Sequence, residues 1–300
     1  MNQAMPLGYS LVIATFERAG ELRDALASIL LQTRLPEQTI IIDASRDDKT
    51  RELAGSFDPR LAVVYERAAV ASAAEQRNQG ALLATAPLIG FMDADVVLDP
   101  ECCAALCDVF DRDEKGEAGG VAARIEGLRH PVPKGLLWWY YRVQAGYADR
   151  TYGGQLFGPA INCLPSYTES SGELIPSHWL NAGCVIYRRE LFLREMFPKF
   201  AGYSFMEDVH LSARIGKTHK LYFHASASCE HRDAPSSWKR DAKAIARTRI
   251  RNQRLVAREI LDFSGPLFEL KLLLHRLLVT VSILRRREKD WWPALVGTWS

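Results

Sequence analysis

Short apolar runs alternate with amphipathic stretches through the first hundred residues. Ser10–Thr15 (Ser-Leu-Val-Ile-Ala-Thr) has strand length and predicts a first buried strand. After the loop Phe16–Gly20, Leu22, Leu26, Ile29 and Leu30 recur at helical spacing, which predicts a helix to about Leu31. Pro36 breaks the chain, and Ile40-Ile41-Ile42 forms a second strand that ends in Asp43. The polar run Ala44–Thr50 opens another helix, Leu61–Tyr65 is a third strand candidate, and Ala73–Ala84 reads as a helix. Leu88–Met92 is a fourth strand, and it stops abruptly at Asp93-Ala94-Asp95. Asp99-Pro100 then opens a helix to Phe110, since Asp caps and Pro suits the first helical position. This β-α alternation predicts an α/β fold, a mostly parallel sheet with helices on both faces.

The second half is less regular. Gly120–Ala123 is a strand candidate, and His130–Ser177 has no clear period. That segment holds Trp138-Trp139-Tyr140-Tyr141, aromatics that suit a sugar ring, a membrane surface or the core. His178–Arg188 reads as a loop entering a strand, Arg189–Met196 as a short helix, and Phe205-Met206-Glu207-Asp208 as the lead into a helix ending near Gly216. Two acids at a helix start also complement the macrodipole. Leu221–Ser228 is a strand followed by Glu230-His231-Arg232. Ser236-Ser237 is placed to cap a long basic helix that Gly265-Pro266 ends. Beyond it, Leu267–Leu284 is apolar but interrupted by Glu269, Lys271, His275 and Arg276, and Arg285-Arg286-Arg287 and Trp291-Trp292 follow. Such a segment fits a helix lying in a bilayer interface, or one packed on the main domain.

Composition narrows the classes. Of the 300 residues, 48% are apolar and 25% charged, as in an ordinary globular protein. A net charge of +2 gives no whole-chain case for nucleic acid, although the last third is markedly basic. The six cysteines fit no zinc spacing and read as buried thiols in a reduced, cytoplasmic chain. Met1–Gly8 is short and polar, unlike a signal peptide, and no run of roughly 18 uncharged apolar residues is present to span a membrane.

The strand ends carry the chemistry. In an open α/β sheet, ligands bind at the carboxyl ends of the strands. Thr15 or Glu17, Asp43, and Asp93 with Asp95 all fall there, and paired hard oxygen donors suit Mg²⁺ or Mn²⁺. Neither a Gly-rich dinucleotide fingerprint nor a P-loop follows the first strand, which argues against a dinucleotide dehydrogenase or a P-loop NTPase.

Several pieces resemble an inverting, family 2-type glycosyltransferase of the GT-A fold. Val12-Ile13-Ala14-Thr15-Phe16-Glu17-Arg18 is similar to the family's V-I-P-T-Y-N-R, and Ile41-Ile42-Asp43-Ala44-Ser45 to V-V-D-D-G-S. Arg77-Asn78-Gln79-Gly80 resembles R-N-x-G, Phe91-Met92-Asp93-Ala94-Asp95 resembles F-L-D-x-D, and Glu207-Asp208-Val209-His210-Leu211 resembles E-D-V-D-L. Asn181-Ala182-Gly183 with Arg188-Arg189-Glu190 is similar to the start of the acceptor half. The likeness runs over Ser10–Arg232, in order and spacing.

The resemblance implies residues 1–235 as a GT-A domain, with a nucleotide-sugar half to about 125 and an acceptor half over 126–235. Residues 236–300 would be a helical extension, peripheral at the inner membrane face. It implies a UDP-, dTDP- or GDP-sugar donor and a glycan or lipid-linked acceptor. Asp208 would be the general base, and Thr15, Glu17, Asp43, Arg77, Asp93 and Asp95 would bind the donor. Within that set, Arg77 would sit on the diphosphate side, and Asp93 at the ribose or sugar-phosphate. Asp95 and His231 would hold Mg²⁺ or Mn²⁺, and Glu207 and Trp179 would meet the acceptor. Two rivals stand beside this reading. One is a sugar nucleotidyltransferase, for which Phe16–Gly20 is a poor Gly-rich loop. The other is a silent nucleotide- or membrane-binding scaffold.

Overall fold

The computed structural model describes residues 5–128, 132–146, 152–165, 172–202, 204–232, 241–286 and 289–300. Its first half is four parallel strands: β1 (Tyr9–Thr15), β2 (Gln38–Asp43), β3 (Val63–Arg67) and β4 (Leu88–Asp93), in the order β3-β2-β1-β4. The crossovers are α1 (Ala19–Leu30), α2 (Lys49–Ser56) and α3 (Ala73–Leu83). Side chains alternate across β1. Leu11 and Ile13 join one core with Leu22, Leu26 and Ile29 of α1, while Val12 joins the other with Ile40, Ile42 and Phe91. Burying each such aliphatic or aromatic side chain contributes about 1.5–3 kcal/mol, so both faces of the sheet must be covered. On the α3 side, a Cβ on Gly80 would lie 2.4 Å from Val12 Cγ1, so only glycine allows this approach of helix to sheet.

Past β4 the chain turns back through β5 (Val96–Leu98), then runs through α4 (Cys102–Asp111) to β6 (Ala118–Ile125). The sheet continues through β10 (Cys184–Arg188), which is antiparallel to both β4 and β6, and β11 (Lys220–His231), which is parallel to β6 and antiparallel to β5. α6 (Arg189–Glu195) and α7 (Glu207–Ile215) lie between them in sequence. The result is the expected mixed, mainly parallel sheet with helices on both faces and a helical C-terminal extension of α8 (Ala242–Glu259), α9 (Gly265–Arg286) and α10 (Trp291–Trp299).

Three expectations change. The irregular His130–Ser177 segment holds α5 (Gly135–Ala145), a hairpin of β7 (Leu156–Phe157) and β8 (Ile161–Asn162), and β9 (Leu174–Ser177) paired with β11. The aromatics of α5 hide its period because they point both ways: Tyr140 and Tyr141 pack on Tyr152 and Phe157, while Trp139 faces out. α4 begins at Cys102 rather than Pro100, and the Asp99 carboxylate accepts from the Ser228 hydroxyl instead of capping the helix. Finally, Asp241 caps α8, its carboxylate accepting from Ala244 N–H at 2.9 Å; Ser236-Ser237 and Arg287 lie outside the described residues.

The extension shares a core with the segment around β10 and α7, where Ile250, Val256 and Phe268 pack with Trp179, Met206 and Val209. All six cysteines are buried free thiols. Among the described residues, no helix is long and apolar enough to cross a membrane.

Candidate active site

The register of the sheet assembles the acids. Thr15 pairs with Asp43 across β1 and β2, and Ala14 with Asp93 across β1 and β4, so these strand ends lie on one edge. β5 reverses direction directly after Asp95 and pairs with the end of β11, with Val96 opposite His231. That pairing delivers a histidine from the far end of the chain beside the Asp-Ala-Asp turn. Arg232 N–H donates to the Asp95 carbonyl at 3.0 Å and closes the corner.

One donor atom from each of Asp93, Asp95 and His231 lies within 4.8 Å of the others. His231 Nε2 is 3.7 Å from Asp93 Oδ2 and 3.5 Å from Asp95 Oδ1. Asp95 is 4% exposed. Two carboxylates and an imidazole at this spacing are the hard-oxygen-plus-nitrogen set that fits Mg²⁺ or Mn²⁺. Asp93 therefore belongs with Asp95 and His231 in the cluster, which widens the expected pair. Arg18 NH1 lies 2.7 Å from Asp95 Oδ2 and balances its charge.

Arg77 braces the site from below. It is 5% exposed and carries two carboxylates, Asp93 Oδ1 at 2.5 Å and Glu207 Oε1 at 3.1 Å, with Phe197 under the guanidinium. Both terminal nitrogens are thus engaged by protein, and Arg77 links β4 to α7. Burial works against ionisation of Asp93, but the Arg77 charge and the His231 contact outweigh it and hold the carboxyl down at about 2.

Residue 208 sits at the start of α7. Met206, just before it, has φ 71°, a left-handed conformation that costs a non-glycine residue about 1–3 kcal/mol and recurs at functional sites. Asp208 Oδ1 accepts from Val209 N–H at 2.8 Å. Ser212 Oγ donates to the Asp208 carbonyl at 2.6 Å and accepts from Leu180 N–H at 2.9 Å, which ties α7 to the loop before β10. Gly183 of that loop comes close to Asp93, whose N–H donates to its carbonyl at 3.1 Å. Burial raises the pKa of both Glu207 and Asp208, and their mutual repulsion adds to it for Glu207, which rises to about 8.

Thr15 Oγ1 is buried and has no hydrogen-bond partner among the described residues. Glu17 follows with φ 53° and donates its N–H to Ser45 Oγ at 2.7 Å. Asp43 is fully buried under this loop, accepting from Ser45 N–H at 2.8 Å, the Tyr65 hydroxyl at 2.9 Å and Arg67 NH1 at 3.1 Å. Trp179 is a correction. Its ring packs edge-on against Phe223 in the core, and its Nε1–H donates to the Cys163 carbonyl at 3.1 Å, so it offers no sugar platform.

The sequence reading left Arg18, Tyr65 and Arg67 without roles. A hint for the first was available, since two acids meeting at one sheet edge call for a nearby cation.

A model of glycosyl transferase family 2 matches residues 10–164, just over half of the chain. The chain belongs to this family. Its match with validoxylamine A glucosyltransferase of Streptomyces hygroscopicus subsp. limoneus is 34% identical over 96 residues, 31% of this chain and 21% of that relative, so the chain spans about a fifth of that protein's length. The fold is GT-A. It recurs in the mannosyltransferase PcManGT of Pyrobaculum calidifontis, solved with GDP-Man and Mn²⁺, at TM-score 0.58 and 13% identity over 99% of this chain and 86% of that one. GalNAc-T7, solved with UDP, GalNAc and Mn²⁺, aligns at TM-score 0.55 and 16% identity over 81% of this chain and 48% of that one. The matched region of this family member holds the Asp-Ala-Asp turn and Arg77, whereas α7 and His231 lie beyond it.

Proposed function

We propose that this family 2 enzyme moves a sugar from a nucleoside-diphosphate donor to a hydroxyl of a glycan or lipid-linked acceptor, with inversion at the anomeric carbon. The observation that carries the reading is the Arg77 brace, which joins Asp93 of the acid cluster to Glu207, the neighbour of Asp208. The GDP-Man and UDP ligands of the two solved relatives, each with Mn²⁺, support a donor of this class.

Asp93, Asp95 and His231 would hold the divalent cation, which when bound neutralises the charge developing on the departing diphosphate. Thr15 and the loop over Asp43 would lie on the nucleoside side of the donor. Asp208 takes the proton from the acceptor hydroxyl as its oxygen attacks the anomeric carbon opposite the leaving diphosphate. A carboxyl whose pKa burial has raised is a stronger base, and one such base is enough for inversion. Glu207, held by Arg77, fixes the start of α7 so that Asp208 stays within reach. Family membership favours this transferase over the sugar nucleotidyltransferase reading.

The test is Asp208→Asn against a panel of nucleotide-sugars. Removing a positioned base costs about 10²–10⁴-fold in turnover, and donor affinity should remain near that of the unmodified enzyme. Wild-type turnover by the variant would overturn the assignment.

A further inference from the structure

Each acid of the cluster divides its two oxygens in the same way. Asp93 gives Oδ1 to Arg77 at 2.5 Å and turns Oδ2 toward His231 Nε2 at 3.7 Å. Asp95 gives Oδ2 to Arg18 at 2.7 Å and turns Oδ1 toward His231 Nε2 at 3.5 Å. The inner oxygens thus face the imidazole, and each outer oxygen rests on a guanidinium. The two arginines differ in what else surrounds them. Arg77 lies on α3 with its side chain 6% exposed, and its other terminal nitrogen meets Glu207. Arg18 directly precedes α1, and its side chain is 21% exposed. Glu17, just before it, donates its N–H to Ser45 Oγ at 2.7 Å, and Ser45 N–H donates to Asp43 Oδ1 at 2.8 Å. Arg18 therefore bridges the loop over Asp43 and the acid cluster.

On the reading proposed above, on which this inference rests, the nucleoside lies at that loop and the diphosphate at the cluster. A guanidinium beside Asp95 acts with opposite sign on the two ligands. It already offsets part of the carboxylate's charge and repels a second positive ion, so it weakens the hold of the empty cluster on a free divalent cation. A diphosphate reverses the balance, because its anionic oxygens accept paired hydrogen bonds from the same fork of N–H donors. We propose that Arg18 is a phosphate-binding residue of the donor site and that it couples cation to nucleotide, suppressing capture of the cation alone. Before the donor arrives, the same residue keeps the buried Asp95 carboxylate paired, as a charge at that depth requires. The coupling is reciprocal: nucleotide raises the affinity for the cation by the factor by which the cation raises that for nucleotide.

A neutral amide at position 18 separates the two effects. Mn²⁺ alone would be titrated into the full chain, with the free ion counted by its electron paramagnetic resonance signal. UDP and GDP would then be titrated calorimetrically into the Mn²⁺-loaded protein. Arg18→Gln should bind free Mn²⁺ about tenfold more tightly and, once loaded, bind nucleotide about tenfold more weakly. A merely structural role would not give opposite shifts, since a distorted site weakens both. Shifts of the same sign, or a shift in only one affinity or in neither, would overturn the proposal. Should Arg18→Gln fail to fold, Arg18→Lys decides, because it keeps the charge but not the fork. It should hold free Mn²⁺ as the wild type does and bind nucleotide more weakly, and unchanged nucleotide affinity would overturn the proposal. Asp95→Ala, run in the same titrations, tests the underlying reading separately. If it keeps wild-type affinity for both ligands, the cation site fails and the proposal with it. Loss of both in Asp95→Ala, with same-sign shifts in Arg18→Gln, sinks only the role of Arg18.

Discussion

At the scale of single residues, charge balance explains the site. Asp93, Glu207 and Asp208 lie together around one buried guanidinium, with Asp95 and His231 alongside. Removing one member of a buried, hydrogen-bonded charge set costs about 3–5 kcal/mol, because its partners are left uncompensated. Arg77→Met should therefore lower unfolding stability by about that amount in chemical denaturation. Arg77→Lys should recover only part of the loss, because a point charge cannot span two carboxylates as the guanidinium fork does. A fully stable Arg77→Met would mean that the brace is incidental. Asp93 and Asp95 stood out in the sequence because acids that end an apolar run are hard to explain as packing, whereas Asp208 stood out only through the likeness of Glu207-Asp208 to a family motif. The Arg77 brace was only half legible: its motif marked it as a site residue, but not which carboxylates it meets. Trp179 misled for a related reason, since an aromatic residue before a strand has one sequence signature whether its ring enters the cleft or the core.

The element that joins structure to chemistry is α7. Its first residues are two acids that burial pushes toward the protonated form, preceded by the left-handed Met206. A carboxyl with a raised folded pKa binds its proton more tightly in the folded state. For Glu207 that contribution is fully present below the ordinary value of 4.5 and is lost as pH rises through about 8. The protein in the presence of a chelator should thus melt at progressively lower temperature from about pH 5 to pH 8, and Glu207→Gln should flatten the slope. An unchanged slope in the variant would mean that Glu207 is ionised in the fold. α7 and the four parallel strands could be read from apolar spacing alone. α5 could not, because an element with apolar side chains on opposite sides shows no single period.

On the scale of the whole molecule, the fold gathers distant segments at one sheet edge. Parallel strands from the first hundred residues supply the acid pair, a reversed strand supplies His231, and a helix from the second half supplies Asp208. The order of these parts was visible in the sequence. The pairing of β5 with β11 was not, because β5 is three residues long and a histidine at a strand end has several uses. The central claim is that this edge grips a diphosphate through a cation held by Asp93, Asp95 and His231. It is tested most directly by calorimetric titration of UDP and GDP into the full chain, with Mn²⁺ and with chelator, for the wild type and for Asp95→Ala. The account predicts that at least one of the two nucleotides binds the wild type only when Mn²⁺ is present, and that Asp95→Ala abolishes this binding. Nucleotide binding of equal strength with chelator and in Asp95→Ala would contradict it.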